Sequence, residues 1–99
     1  MSTSVYGPKG THVVFENEKV RVWEIELAPG ETLGMHHHDL DYVVVALTEG
    51  ETTVEWEDGR RETNQQAPGK LTWREAPHAH KLTNTGSAVY RNRMVELKK

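Results

Sequence analysis

The chain has no cysteine, so no disulfide framework holds it, and nothing in it calls for an oxidising compartment. It has no apolar run near the roughly 20 residues of a membrane span. Residues 1–7 lack the basic and apolar regions of a signal peptide. The cytoplasm is therefore the expected location, without a membrane partner. A basic stripe is missing too. Twelve Lys and Arg are scattered among 15 Asp and Glu, for a net charge of −3, which argues against nucleic acid as a partner. No window repeats apolar residues at helical spacing for three turns, so no helix is predicted. There is no internal repeat, low-complexity segment or linker. Ninety-nine residues make one domain with a small core, which dimerisation would help to stabilise.

What the chain does have is short β-type runs separated by Gly and Pro. Strands are expected over 12–16, 20–27, 41–47, 52–57, 60–66, 71–74 and 88–97, preceded by a loose arm at residues 1–11. Pro29-Gly30, Glu49-Gly50, Asp58-Gly59, Pro68-Gly69 and Asn84-Thr85-Gly86-Ser87 supply the turns. The run 41–47 has the β-branched composition of a central, buried strand. Many short strands at regular intervals imply an all-β sandwich or barrel.

Histidine is the conspicuous residue. Three of the six stand together as His36-His37-His38, and two more form Pro77-His78-Ala79-His80. Along an extended chain, side chains alternate between faces. His36 and His38 then share one face, with His37 on the other as a surface or interface residue. Neutral imidazole is the commonest protein ligand for divalent transition metals, so two on one face need a third, which could come from the second cluster.

These residues carry a family resemblance. Gly30, His36, His38 and Gly50 fall on the spacing of the first cupin motif, with Val43 where the motif has Glu. Gly69, His80 and Asn84 fall on the second, with Glu75 and Pro77 in place of its Pro and Gly. The two motifs span residues 30 to 84, and the chain resembles a small single-domain cupin of the three-histidine kind. The resemblance implies a double-stranded β-helix, or jelly-roll barrel, over residues 12–99. It also implies a metal held by His36, His38 and His80, and a homodimer, with the N-terminal strand adding to the partner's sheet. Iron(II), zinc and nickel all accept imidazole nitrogens, so the ligand set does not choose the metal. Three neutral ligands leave the metal its full charge and leave open positions for a substrate. Cysteine dioxygenase and acetylacetone-cleaving dioxygenase are similar in lacking the carboxylate ligand, and both use ferrous iron.

The other residues are weighed on the same terms. Asp41 is a candidate displaced ligand, second-layer acceptor or general base; on a regular strand it faces the same side as Val43, and a bulge after the histidines would change that parity. His78 shares the parity of His80 and is a candidate fourth imidazole or general base, with a rim position after Pro77 as the plainer reading. His12 reads as structural or exposed. Tyr90, Asn92 and Met94 share a face that lines the cavity or the core, and Arg91 and Arg93 lie opposite. The arginines fit either a substrate carboxylate or a solvated face with Glu partners. Trp23, Trp56 and Trp73 read as core or dimer contacts, and Asn84 as the residue that fixes its turn.

Three functions follow. The first is a metalloenzyme acting on a small oxygen-bearing substrate, by dioxygenase-like or isomerase/cyclase chemistry. The alternative is a non-catalytic cupin that binds a small molecule or a metal. The third is a metal-free barrel acting through its surface. Fold alone does not choose among them.

Overall fold

The computed structural model describes residues 6–99. Nine strands follow in order: β1 His12–Glu16, β2 Val20–Leu27, β3 Thr32–His38, β4 Tyr42–Ala46, β5 Gly50–Trp56, β6 Arg61–Gln66, β7 Leu71–Arg74, β8 His78–Asn84 and β9 Tyr90–Leu97. There is no helix among the described residues. A five-stranded sheet has the order β1-β2-β9-β4-β7, and a four-stranded sheet the order β3-β8-β5-β6. All the pairings are antiparallel. The two sheets face each other around a narrow interior.

The turns follow from local chemistry. Ala28-Pro29-Gly30-Glu31 closes with Glu31 N–H donating to Ala28 O at 2.9 Å, and Gly30 has φ +82°. Ala67-Pro68-Gly69-Lys70 repeats the design, with a 3.0 Å bond and φ +88° at Gly69. Proline presets the first corner, and glycine takes the left-handed second corner without a Cβ clash.

Two expectations change here. Of the arm expected over 1–11, residues 1–5 lie outside the described residues, and 6–11 are not loose: Gly7 N–H donates to Met35 O and Thr11 N–H to Glu24 O, both at 2.8 Å. Gly10 is buried against the Trp23 ring, where an added Cβ would stand 2.9 Å from Cε3. A strand not foreseen, β8, forms between β3 and β5 from a segment without a β-branched run. It is held by its neighbours rather than by intrinsic preference.

The inner face of the five-stranded sheet carries Ile25, Tyr42, Val44, Tyr90, Asn92 and Met94 toward the interior. Strand β4 is thus buried on one side only, and Val43 and Val45 face out. On that outer face one cross-strand row, Phe15–Val22–Val95–Val43–Trp73, runs across all five strands. Phe15 and Trp73 are about half exposed. The next row holds Glu24 opposite Arg93. Glu24 Oε1 accepts from Arg91 at 2.8 Å and from Arg93 at 3.0 Å. The two arginines therefore face away from the cavity and engage glutamate. The hydrogen bond from Arg91 first, then that from Arg93 and the charge of both, keep the Glu24 carboxyl below the usual range.

Asn84 closes the barrel end. It is fully buried, donates Nδ2–H to Leu27 O (2.9 Å) and Ala88 O (2.8 Å), and accepts from Gly86 N–H (2.9 Å). Asn84→Ala leaves the Leu27 and Ala88 carbonyls and the Gly86 N–H without these partners, the first of them buried. It should lower stability by about 2 kcal/mol, read from urea unfolding midpoints at unchanged slope.

Candidate metal centre

Register brings the two histidine clusters together. On β3 and β8, His36 pairs with His80 and His38 with His78. Paired residues share a face, so four imidazoles point the same way and His37 points out. A bulge between Leu33 and His36 resets the parity of β3 just before the histidines. It also places Gly34 O 2.8 Å from His36 Nδ1. That bond puts the proton on Nδ1 and leaves His36 Nε2 as a bare lone pair.

His36, His38 and His80 are all buried, and their ligand atoms lie within 4.8 Å of one another. The Nε2 atoms of His38 and His80 are 3.2 Å apart. Ligand nitrogens about 2.0–2.1 Å from one metal stand roughly 3.0–3.4 Å apart in common geometries. The spacing therefore fits a shared cation. Without one, a single proton must serve both nitrogens, and each ring's Nδ1 is buried without a partner among the described residues. Burial is the first cause that pushes all three imidazoles below the ordinary histidine pKa, farthest for His38 and His80, to about 2 for the latter. They remain neutral, which is the ligating form.

The remaining candidates fall outside the trio. His78 lies in a second layer, half-buried. Its Nδ1 donates to Glu75 O (2.9 Å), so its Nε2 accepts from the Tyr42 hydroxyl (3.0 Å). Asp41 does not reach the site. Its Oδ1 accepts from Ala76 N–H at 2.9 Å, and its outward parity is that of Val43. The expectation of a carboxylate ligand or base at Asp41 is corrected accordingly: it holds the loop before β8. The alignment of the motif's Glu with Val43 also shifts by one. Tyr42 takes the cavity-facing place, stacked on His38 with ring centroids 4.1 Å apart. Burial raises its phenol pKa, so the hydroxyl keeps its proton. The interval from His38 to Tyr42 is the shorter of the two the motif allows, and that was the available signal.

The interior is a cavity of about 50 Å³, lined by the three histidines, Tyr42, Arg74 and polar side chains of the facing sheet. That is room for a few waters or a short organic chain. The second arginine-lined recess, outside the barrel, includes Trp56, Arg74 and His78.

No family model matches the chain. Among curated proteins, it is 37% identical over 75 residues to the β-alanine degradation protein BauB of Pseudomonas aeruginosa, covering 76% of this chain and 78% of that one. Among solved structures, a cupin domain from Bordetella pertussis superposes with a TM-score of 0.80 at 30% identity, covering 94% of this chain and 100% of that one. The chain belongs to the cupin family. An RmlC-like cupin from Methanocaldococcus jannaschii shares the double-stranded β-helix with a TM-score of 0.75 at 19% identity, covering 99% and 93% of the two chains. This cupin's three buried histidines stand where the fold closes around its cavity.

Proposed function

We propose that this cupin holds a divalent transition metal (iron(II), zinc or nickel) through His36, His38 and His80. It would act there on a small oxygen-bearing substrate, by dioxygenase-like or isomerase/cyclase chemistry. The reading is carried by the 3.2 Å approach of two buried Nε2 atoms whose rings are kept neutral. When bound, such a metal supplies Lewis acidity toward a substrate oxygen. The chain's own residues do the rest. The bulge carbonyl of Gly34 orients His36, in the manner of outer-shell partners that fix ligand tautomers. Tyr42 covers one face of His38 and aims its O–H at His78. His78, fixed as the acceptor by Glu75 O, is the group best placed to take a proton at the rim. The likeness to BauB supports a place in the breakdown of a small amino or organic acid.

The first test is elemental analysis of untagged protein. Near-stoichiometric metal is the expected result, and an oxygen electrode with the iron(II)-loaded protein then separates dioxygenase chemistry from isomerisation. Protein that binds no metal when loaded would sink the proposal. Metal and ligand binding without turnover would instead support the non-catalytic binder.

We also propose that a second copy of this chain covers the outer apolar row, in the cytoplasm. A row of five apolar side chains flanked by Glu24 with Arg91 and Arg93 offers both apolar area and self-complementary charge across a two-fold axis. Trp73→Glu should convert a sedimenting dimer to a monomer without changing metal content. A wild type that sediments as a monomer at high concentration would refute this.

A further inference from the structure

Among the cavity-lining residues, two are cations: Lys9 and Arg74. They differ in how their charge is used. Lys9 Nζ lies 2.6 Å from Glu96 and 3.3 Å from Asp39. Arg74 has no hydrogen bond to its guanidinium among the described residues. Among the described residues its one acidic partner within 4 Å is Glu62, at 3.5 Å, and that carboxylate is half exposed and already accepts from Asn64. Yet the Arg74 side chain is only 20% exposed. Its guanidinium lies against the Trp56 ring, 5.2 Å from the centroid. It lines both the histidine cavity and the outer recess, so it stands between them. A guanidinium offers five donors in a planar fork. Here that fork is mostly desolvated, stacked on an indole and loosely paired.

We propose that Arg74 is the anchor for the carboxylate of a small monocarboxylic acid, whose other end reaches into the histidine cavity. This rests on the metal-binding reading above and narrows its substrate class. The fork matches a carboxylate bidentately. Arg74 is the lining cation not already matched by a close carboxylate, since Lys9 is held by Glu96, and this suits a single negative charge rather than a dianion. A cavity of about 50 Å³ limits the remainder of the molecule to a short chain. Arg91 and Arg93, the arginines that the sequence offered for this role, are committed to Glu24 on the outer face. Glu62 is the weak internal competitor that an incoming carboxylate displaces.

The test uses propionate as the probe, with propionamide as its neutral twin, on zinc-loaded full-length protein. Trp56 lies beside Arg74 and provides a fluorescence signal, with calorimetry as a second readout. Propionate should bind saturably and propionamide should not. Arg74→Met should weaken propionate binding by about tenfold or more, and Arg74→Lys, which keeps the charge without the fork, by less. Zinc content and melting temperature, measured on each variant, should match the wild type. Three results would overturn the proposal: no saturable binding by the wild type, Arg74→Met affinity within about twofold of it, or equal binding of propionamide. The two readings fail separately. Arg74-dependent propionate binding by a protein that takes up no zinc would remove the metal and keep the anchor. Stoichiometric zinc with indifference to propionate would do the reverse.

Discussion

Replacing His80 by alanine should empty the metal site outright: metal content falls from near one equivalent to near zero, and the stabilisation that metal confers disappears with it. At a free metal concentration about a hundredfold above Kd, binding to the native state alone adds about 2.7 kcal/mol. For a domain of this size that is a rise in Tm of roughly 10–20 °C. His36→Ala and His38→Ala should behave alike, because each removes one of three neutral ligands from the same small space. The double variant His38→Leu with His80→Leu is sharper. It also binds no metal, yet its metal-free fold should be within about 1 kcal/mol of the wild type or above it. Removing both members of a buried polar pair is nearly neutral, whereas removing one strands the other. A wild-type Tm indifferent to added zinc, iron and nickel, or metal retained by the double variant, would contradict the reading. The comparison separates a ligand set from ordinary core polarity, because a site kept for function gives up stability that leucine restores.

The histidine trio was legible because two simple rules coincide in it: alternation along β3 and motif spacing to His80. The all-β fold was legible from turn chemistry and the lack of helical periodicity. What escaped depended on contacts across strands or on single-residue offsets. Strand β8 carries His, Ala and Lys where strands usually carry branched residues, so only its place between β3 and β5 makes it a strand. Tyr42 rather than Val43 faces the cavity, because the connection through Asp39–Asp41 sets the parity of β4. Asp41 was expected on the side of Val43, but not which way that side faces, and its partner, Ala76 N–H, is 35 residues away. Arg74 closed an unremarkable four-residue strand, and nothing local marks it as a cavity cation. The glutamate partners of Arg91 and Arg93 were legible as a type of contact. Which glutamate it would be waited on the β2–β9 register.

Glu96→Ala should cost about 3–5 kcal/mol, a large share of the roughly 5–15 kcal/mol that holds a domain together. The sequence gives no hint of this, since Glu96 precedes the last apolar residue of a terminal strand. The structure buries it completely. Its Oε1 accepts from the Trp23 indole N–H at 2.7 Å, and its Oε2 meets Lys9 Nζ at 2.6 Å. Arg21, its cross-strand partner, stands 3.8 Å away. Removing the carboxylate strands the indole donor and leaves a mostly buried ammonium with only the exposed Asp39 carboxylate at 3.3 Å, which is the expensive way to break a buried pair. Glu96→Gln keeps an acceptor for Trp23 and should lose less. The double variant Lys9→Met with Glu96→Gln should recover part of the loss of either change that leaves a charge unpaired, and a double-mutant cycle measures the coupling. Because Lys9 belongs to the segment that the barrel holds through Gly7 and Thr11, the loss should be local first. Amide exchange at Gly7 and Thr11 should accelerate in Glu96→Ala more than at the β2–β9 ladder. Uniform acceleration throughout, or a loss below about 1 kcal/mol, would mean that the pair behaves as a surface ion pair and that the N-terminal segment is held by its other bonds.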